Sequence, residues 1–392
     1  MEKILYKLNP FKTSQKTSCS FLNHELMNKA YKFHQTIPGY APTPLYSLSS
    51  LAKHLGINEI LVKDESPRFG LNSFKGLGGS YALANYLSKS CGKELSSFKS
   101  LKNHTKNQPM QTFASATEGN HGRGLAWAAQ QFGQKAFIFM PKGASISRVN
   151  KIRAFGANIE VTDLNYDDTV RYVNQLAEKN GWVLVQDTSW KGYQEIPAQI
   201  MQGYLTIVAE WLEQQKEQPT HVILQVGVGS FAAAIAVGLQ QVCDKPIVFI
   251  IVEPTRADCF YQSACSLDGN PKNASGDLST IMNGLSCGDP NPVAWGILKN
   301  LSECFITCPD SVAARGMRIL GNPLKKDPRI VAGESGAIPL GLLYELCKNP
   351  QLAPLKNSLQ LDSDSRVLFI STEGDTDPDN YRAVCWDGRF GN

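Results

Sequence analysis

Short uninterrupted apolar runs alternate with helical spacing along most of the chain. Ile60-Leu61-Val62 reads as a strand followed by a helical pattern over Gly78–Leu87, and Thr112-Phe113-Ala114 leads through a glycine turn to a helix around Gly124–Gln131. Ala136–Met140 is the next strand, and Ser145–Ala154 then reads as a helix ending at Phe155-Gly156. Further strands are predicted at Ile159–Val161, Val183–Val185, Val222–Leu224, Ile247–Val252 and Val367–Ile370. Apolar strands joined by helices imply a parallel sheet covered on both faces, an α/β fold. Two stretches break the alternation. Ser88–Gln111 is polar and rich in Lys and Ser, as a surface excursion would be, and Thr255–Pro292 carries turn signals with little periodicity. Long loops beyond strand C-termini tend to line active sites in such sheets.

Length sharpens this picture. At roughly 150 residues per domain, 392 residues predict two domains or one large split one. Hydrophobic residues make up 42% and charged ones 19%, enough for a sizeable core and against disorder. The net charge of +4 is too mild to point to nucleic acid or an anionic membrane as partner. The opening M-E-K-I-L-Y-K-L-N-P has no apolar signal-peptide run. His221–Leu239 has the length of a membrane span, but Gln225, Gly227, Gly229 and Ser230 interrupt it, so strand, turn and Ala-rich helix fit better. Ten cysteines without a C-x-x-C suggest scattered thiols in a reducing compartment, and a cytoplasmic protein is expected. The six histidines form no metal-ligand cluster, so no metal is expected.

Several strand-to-helix turns carry chemistry. In Asn72-Ser73-Phe74-Lys75-Gly76-Leu77-Gly78-Gly79 a lysine opens a helix among small residues. The positive end of the helix dipole favours its neutral, nucleophilic form, which Schiff-base formation with an aldehyde needs; a surface lysine in a turn is the plain alternative. Gln225-Val226-Gly227-Val228-Gly229-Ser230 reads as a backbone phosphate cradle. The same string continues to Ala232 as G-x-G-x-x-A, and Glu253 ends the next strand, so an NAD(P) site is a rival reading. Ala116-Thr117-Glu118-Gly119-Asn120-His121-Gly122 gathers a carboxylate, an amide and an imidazole, or simply uses Asn and Gly for turn geometry. Asp187, in Gln186-Asp187-Thr188-Ser189-Trp190, is either a reactive carboxylate or a helix cap. Ser371-Thr372-Glu373-Gly374-Asp375-Thr376-Asp377 sets hydroxyls and acids at a strand end.

Together, and in this order, the turns resemble the fold-type II pyridoxal-phosphate enzymes, the family of serine/threonine dehydratases and tryptophan synthase β. S-F-K-G is similar to the family's lysine motif, E-G-N-H-G to its asparagine loop and G-V-G-S to its phosphate loop. Within that family Phe33-His34-Gln35, Tyr40–Leu45, Gln186–Trp190, Thr280–Leu285 and Ser371–Asp377 resemble the diaminopropionate ammonia-lyases, over about residues 33 to 385. The resemblance implies a PLP-dependent lyase that converts 2,3-diaminopropionate and water into pyruvate and two ammonia. Lys75 would bond the cofactor aldehyde, and Asp187 would take the α-proton of the L-isomer. Asn120 would bind the ring hydroxyl, Gly227, Val228, Gly229 and Ser230 the phosphate, and Ser371 or Thr372 would face the pyridine nitrogen.

One position departs from the lyase pattern: Glu118 stands where an Asp, the base for the D-isomer, is expected. The extra methylene displaces the carboxylate by about one C–C bond, and a misplacement of roughly an ångström can cost about 100-fold, so D-diaminopropionate is expected to be a poor substrate. A serine/threonine dehydratase or β-replacement enzyme of the same fold is the nearest alternative. The resemblance also implies a large domain from residues 1–80 and 197–392, a smaller one over 81–196, the cofactor between them, an amino-acid substrate and a homodimer.

Overall fold

The computed structural model describes residues 3–13, 19–215, 217–266 and 268–391. Eleven strands are found among them: β1 (Leu5–Leu8), β2 (Leu45–Ser47), β3 (Glu59–Asp64), β4 (Thr112–Ala116), β5 (Lys135–Met140), β6 (Asn158–Val161), β7 (Val183–Leu184), β8 (His221–Gln225), β9 (Val248–Pro254), β10 (Ser302–Cys308) and β11 (Arg366–Ser371). The chain divides into two compact units, one of Met1–Ser18, Thr43–Pro67 and Glu210–Asn392, the other of Cys19–Pro42 and Arg68–Ala209.

The first unit is built on a seven-stranded sheet in the order β1-β10-β9-β8-β11-β3-β2. Its inner pairs are parallel, and β1 and β2 close the edges antiparallel. β8, the strand before the glycine turn, is buried along its whole length, which is why it reads as a continuous apolar run. One face of the sheet packs Ile60, Ile223, Ile250, Ile306 and Phe369 against the helices Asp310–Gly321 and Glu334–Lys348. The second unit holds a four-stranded parallel sheet, β6-β5-β4-β7.

The α/β class and all eight strands expected from the sequence are present; β1, β2 and β10 were not foreseen. β1 and β2 are short edge strands with mostly exposed or half-buried residues, so no burial pattern marks them. β10 does carry the apolar centre Cys304-Phe305-Ile306, fully buried between β1 and β9. The polar stretch after Ser88 contains a helix, Phe98–Thr105, started by the Ser97 side chain accepting from Ser100 N and anchored by buried Phe98 and Leu101. His221–Leu239 is strand, turn and helix, and no helix of the described residues is long and apolar enough to cross a membrane.

The unit boundaries lie elsewhere than the expected 80/81 and 196/197. They fall at Pro67/Arg68 and Ala209/Glu210, and Cys19–Pro42 joins the second unit. Helix Lys75–Ser90 goes with that unit because glycines of the neighbouring helices admit its backbone. A Cβ at Gly203 would stand 2.6 Å from Leu77 O, and one at Gly124 would stand 2.8 Å from the carbonyl carbon of Lys75.

Candidate active site

The lysine turn, the asparagine loop and Asp187 all belong to the second unit. Lys75 is itself the first residue of helix Lys75–Ser90, whose start has no side-chain cap, so the amine stands at the positive end of the helix. The close crossing with helix Asn120–Gln131, permitted by Gly79 and Gly124, brings this helix start beside the loop that begins at Glu118. The loop is tied by Thr117, whose Oγ1 accepts from the N–H groups of Gly119 at 2.9 Å and Gly122 at 3.0 Å.

Lys75 Nζ donates to Asp187 Oδ2, a contact between two largely buried side chains. Asp187 is therefore no helix cap: it follows β7 and the next helix begins at Glu195. Burial pushes its carboxyl up, but the charges of Lys75 and His121 and the hydrogen bond from Lys75 outweigh it and bring the pKa down to about 2. Two further groups surround the carboxylate. Tyr166 Oη donates to Oδ1 at 3.4 Å and is itself held by Gln186 Nε2 at 2.9 Å. His121 Nε2 lies 2.7 Å from Val185 O and must carry a proton there, and Nδ1 lies 3.8 Å from Asp187 Oδ2. Burial lowers the His121 pKa, and the facing Asp187 carboxylate opposes that shift. The lysine's amine also lies over the rings of Phe74, at 5.3 Å, and Tyr204, at 6.0 Å.

Glu118 stands differently. Burial lifts its carboxyl, Arg148 opposes this and Asp167 adds to it, and the result is a pKa of about 7. The Arg148 side chain is the contact a Cβ at Gly119 would meet, at 3.3 Å. Asn120 opens the following helix and is half-buried.

The other predicted groups lie in the first unit. The N–H groups of Gly227, Val228 and Gly229 make no hydrogen bond to a described residue and lead into helix Ser230–Val242. Gly229 has φ +93°, a left-handed conformation, and a Cβ there would lie 2.3 Å from Phe260 Cζ. Ser230 Oγ accepts from Asn291 Nδ2 at 2.8 Å. Three unpaired donors in a row at the start of a 13-residue helix form an anion cradle, so the turn suits a cofactor phosphate. The rival use of Glu253 meets an obstacle: its carboxylate accepts from Phe260 N at 3.1 Å and Tyr261 N at 2.5 Å, and burial raises its pKa well above normal. That carboxylate fastens the helix Cys259–Cys265 and does not face a ribose.

At the end of β11, Ser371 Oγ is fully enclosed with no hydrogen-bond partner, whereas Thr372 is slightly exposed and its Oγ1 accepts from Gln225 Nε2 at 3.0 Å. Sequence reading missed Tyr166, His121 as Asp187's neighbour, Arg148 and Gln225. Tyr166 and Arg148 carry no signal in the sequence that sets them apart, whereas Gln225 and His121 stand inside the glycine turn and the asparagine loop themselves.

Residues 36–372 match the family described as pyridoxal-phosphate dependent enzymes, and the chain belongs to that family. It is a PLP-dependent enzyme of fold type II. The chain is 53% identical to a diaminopropionate ammonia-lyase of Escherichia coli K12 over 92% of this chain and 91% of that one. A Salmonella typhimurium protein of the same name is 48% identical over 99% of both. A crystal structure of the Escherichia coli protein in complex with D-serine superposes with a TM-score of 0.94 at 48% identity, covering 99% of this chain and 98% of that one.

Proposed function

We propose that this enzyme catalyses the α,β-elimination of 2,3-diaminopropionate, with water, to pyruvate and two ammonia. The observation that carries the reading is the buried contact between Lys75 Nζ and the Asp187 carboxylate, on a chain so similar to proteins named for that reaction. The bound pyridoxal phosphate supplies an aldehyde for an amine and a ring that accepts the electron pair left when the α-proton departs.

The chain's own residues do the rest. Lys75 is the group that holds the aldehyde. With its amine so engaged, the positive charge beside Asp187 is displaced, and burial alone then raises the basicity of Asp187 Oδ2. Asp187 takes the α-proton of the L-isomer, and Nδ1 of His121 faces the oxygen that receives it. Freed Lys75 returns a proton to the departing β-amine. Glu118 is the candidate base for the D-isomer, and only part of it is ionised at neutral pH.

Gly227, Val228, Gly229 and Ser230 hold the phosphate, and Asn120 the ring hydroxyl. Of the two hydroxyls at the end of β11, Thr372 is the one a ligand reaches. Its oxygen already accepts from Gln225, so its own proton is free for the pyridine nitrogen. An uncharged donor there leaves that nitrogen unprotonated, which favours elimination over transamination.

The test is pyruvate release by the purified, PLP-loaded enzyme from L-2,3-diaminopropionate, L-serine and L-threonine. The expected result is a far higher kcat/KM for the diamine, with Lys75→Ala inactive. Preference for either hydroxy amino acid would replace the lyase reading with that of a dehydratase of the same fold.

A further inference from the structure

The first unit contains a cavity, of about 1240 Å³, that the reaction does not use. It lies beyond the C-terminal ends of β9 and β10, where Thr255 and Arg256 follow one strand and Pro309 and Asp310 the other. Its acidic groups are already engaged. Asp310 Oδ1 accepts from Thr280 Oγ1 at 2.5 Å and Oδ2 from Ile281 N at 3.2 Å. Glu345 Oε1 lies 3.1 Å from Arg315 Nε, and Oε2 accepts from Asn349 Nδ2 at 3.3 Å.

The basic groups retain donors. Arg315 is fixed by Glu345 at Nε and by the ring of Tyr344, 5.0 Å from Cζ, and its two terminal nitrogens make no hydrogen bond to a described residue. Lys3 and Arg389 line the same cavity and have no carboxylate partner among the described residues. The carbonyls of Arg389 and Phe390 are held by the guanidinium of Arg318, at 3.2 and 3.3 Å, so this backbone is pinned at the rim. Thr255 Oγ1 is buried without a partner. A guanidinium held so that its planar fork faces open space is suited to two oxygens of one anion.

We propose that this cavity binds a small molecule presenting a carboxylate or phosphate, gripped by Arg315 with Lys3, Arg389 and Thr255 around it. The segment that lines it at Ser279, Thr280 and Ile281 continues to Gly284 and Cys287, each of which would stand 3.1 Å from a Cβ on Gly227. An anion bound there thus touches the chain segment that backs the phosphate turn.

The experiment uses enzyme fully loaded with pyridoxal phosphate, so that the cofactor's own phosphate site is filled, and titrates inorganic phosphate and, separately, succinate by calorimetry. Saturable binding of either is expected, weakened about tenfold or more in Arg315→Gln and in Arg389→Gln. Thr255→Val, which keeps the side-chain shape, should weaken it less. Binding of phosphate alone identifies a phosphorylated ligand, and of succinate alone a carboxylic acid. No saturable binding of either probe, or binding unchanged in all three variants, overturns the proposal.

Discussion

In the second unit the candidate groups are side chains whose charges set one another: Lys75 holds Asp187 ionised, Tyr166 and His121 surround that carboxylate, and Arg148 tempers Glu118. In the first unit the turn Gly227–Ser230 offers backbone N–H groups, and side chains matter there mainly by their absence, as the 2.3 Å approach of Phe260 to a Cβ on Gly229 shows. A side-chain cluster can be retuned one charge at a time. A backbone cradle tolerates no such change, because its geometry and its donors are the same atoms. Substitutions in the second unit should therefore alter rate and pH profile, and those in the turn should alter cofactor affinity and stability.

Lys75→Ala is the largest expected loss. Without the amine there is no covalent hold on the aldehyde and no proton donor for the leaving group, so pyruvate formation should fall more than about 10³-fold while the fold, followed by circular dichroism, is retained. Asp187→Asn should lower turnover of the L-isomer by about 10²–10⁴-fold, the range for a general base. It keeps the shape of the site and removes the charge that pairs with Lys75. An Asp187→Asn enzyme that loses cofactor affinity but retains turnover when saturated would reverse the assignment of roles between the two units.

Gly229→Ala tests the other half. The new methyl must displace Phe260 in a left-handed backbone, with a cost of about 1–3 kcal/mol for overpacking and about 1–2 for the conformation. The expected result is a lower Tm and weaker retention of pyridoxal phosphate, with kcat of the fully loaded enzyme and its pH profile nearly unchanged. A shifted pH profile would mean that the turn tunes charge as well as holding it.

The candidate turns stand out in the sequence because Glu118, Asn120, Asp187 and the glycines of 227–229 each stand where an apolar strand gives way to a turn or helix, and Lys75 where a turn gives way to a helix. A polar or conformationally free residue is conspicuous at such a point. Arg148 stands within a helical pattern and Tyr166 in a stretch with no distinctive signal, and only three-dimensional packing shows that they face a carboxylate. The same limit explains the unit boundaries. Nothing in the sequence around Gly203 or Gly124 announces that these glycines admit the backbone of the Lys75 helix, and that approach decides which unit the lysine joins. Thr372 was named with Ser371 from the sequence, and the hydrogen bond from Gln225 is what separates them.

The smallest expected effect on the L-reaction is also the one that divides the second unit internally. Asp187 is buried and Glu118 half-buried, yet one titrates near 2 and the other near 7, because a lysine faces the first while the desolvation of the second is only partly offset by Arg148. A base accepts a proton only when ionised. If Glu118 serves the D-isomer, D-turnover should therefore be full above pH 7 and fall as the pH drops through about 7, with no matching step in L-turnover. Glu118→Gln should abolish the D-reaction selectively. Glu118→Asp, which withdraws the carboxylate by one methylene, should raise the D-reaction by about 10- to 100-fold if the present side chain overshoots. Equal turnover of the two isomers by the unaltered enzyme, with parallel pH profiles, would show that one base serves both faces of the substrate and that the contrast between the two carboxylates has no part in stereochemistry.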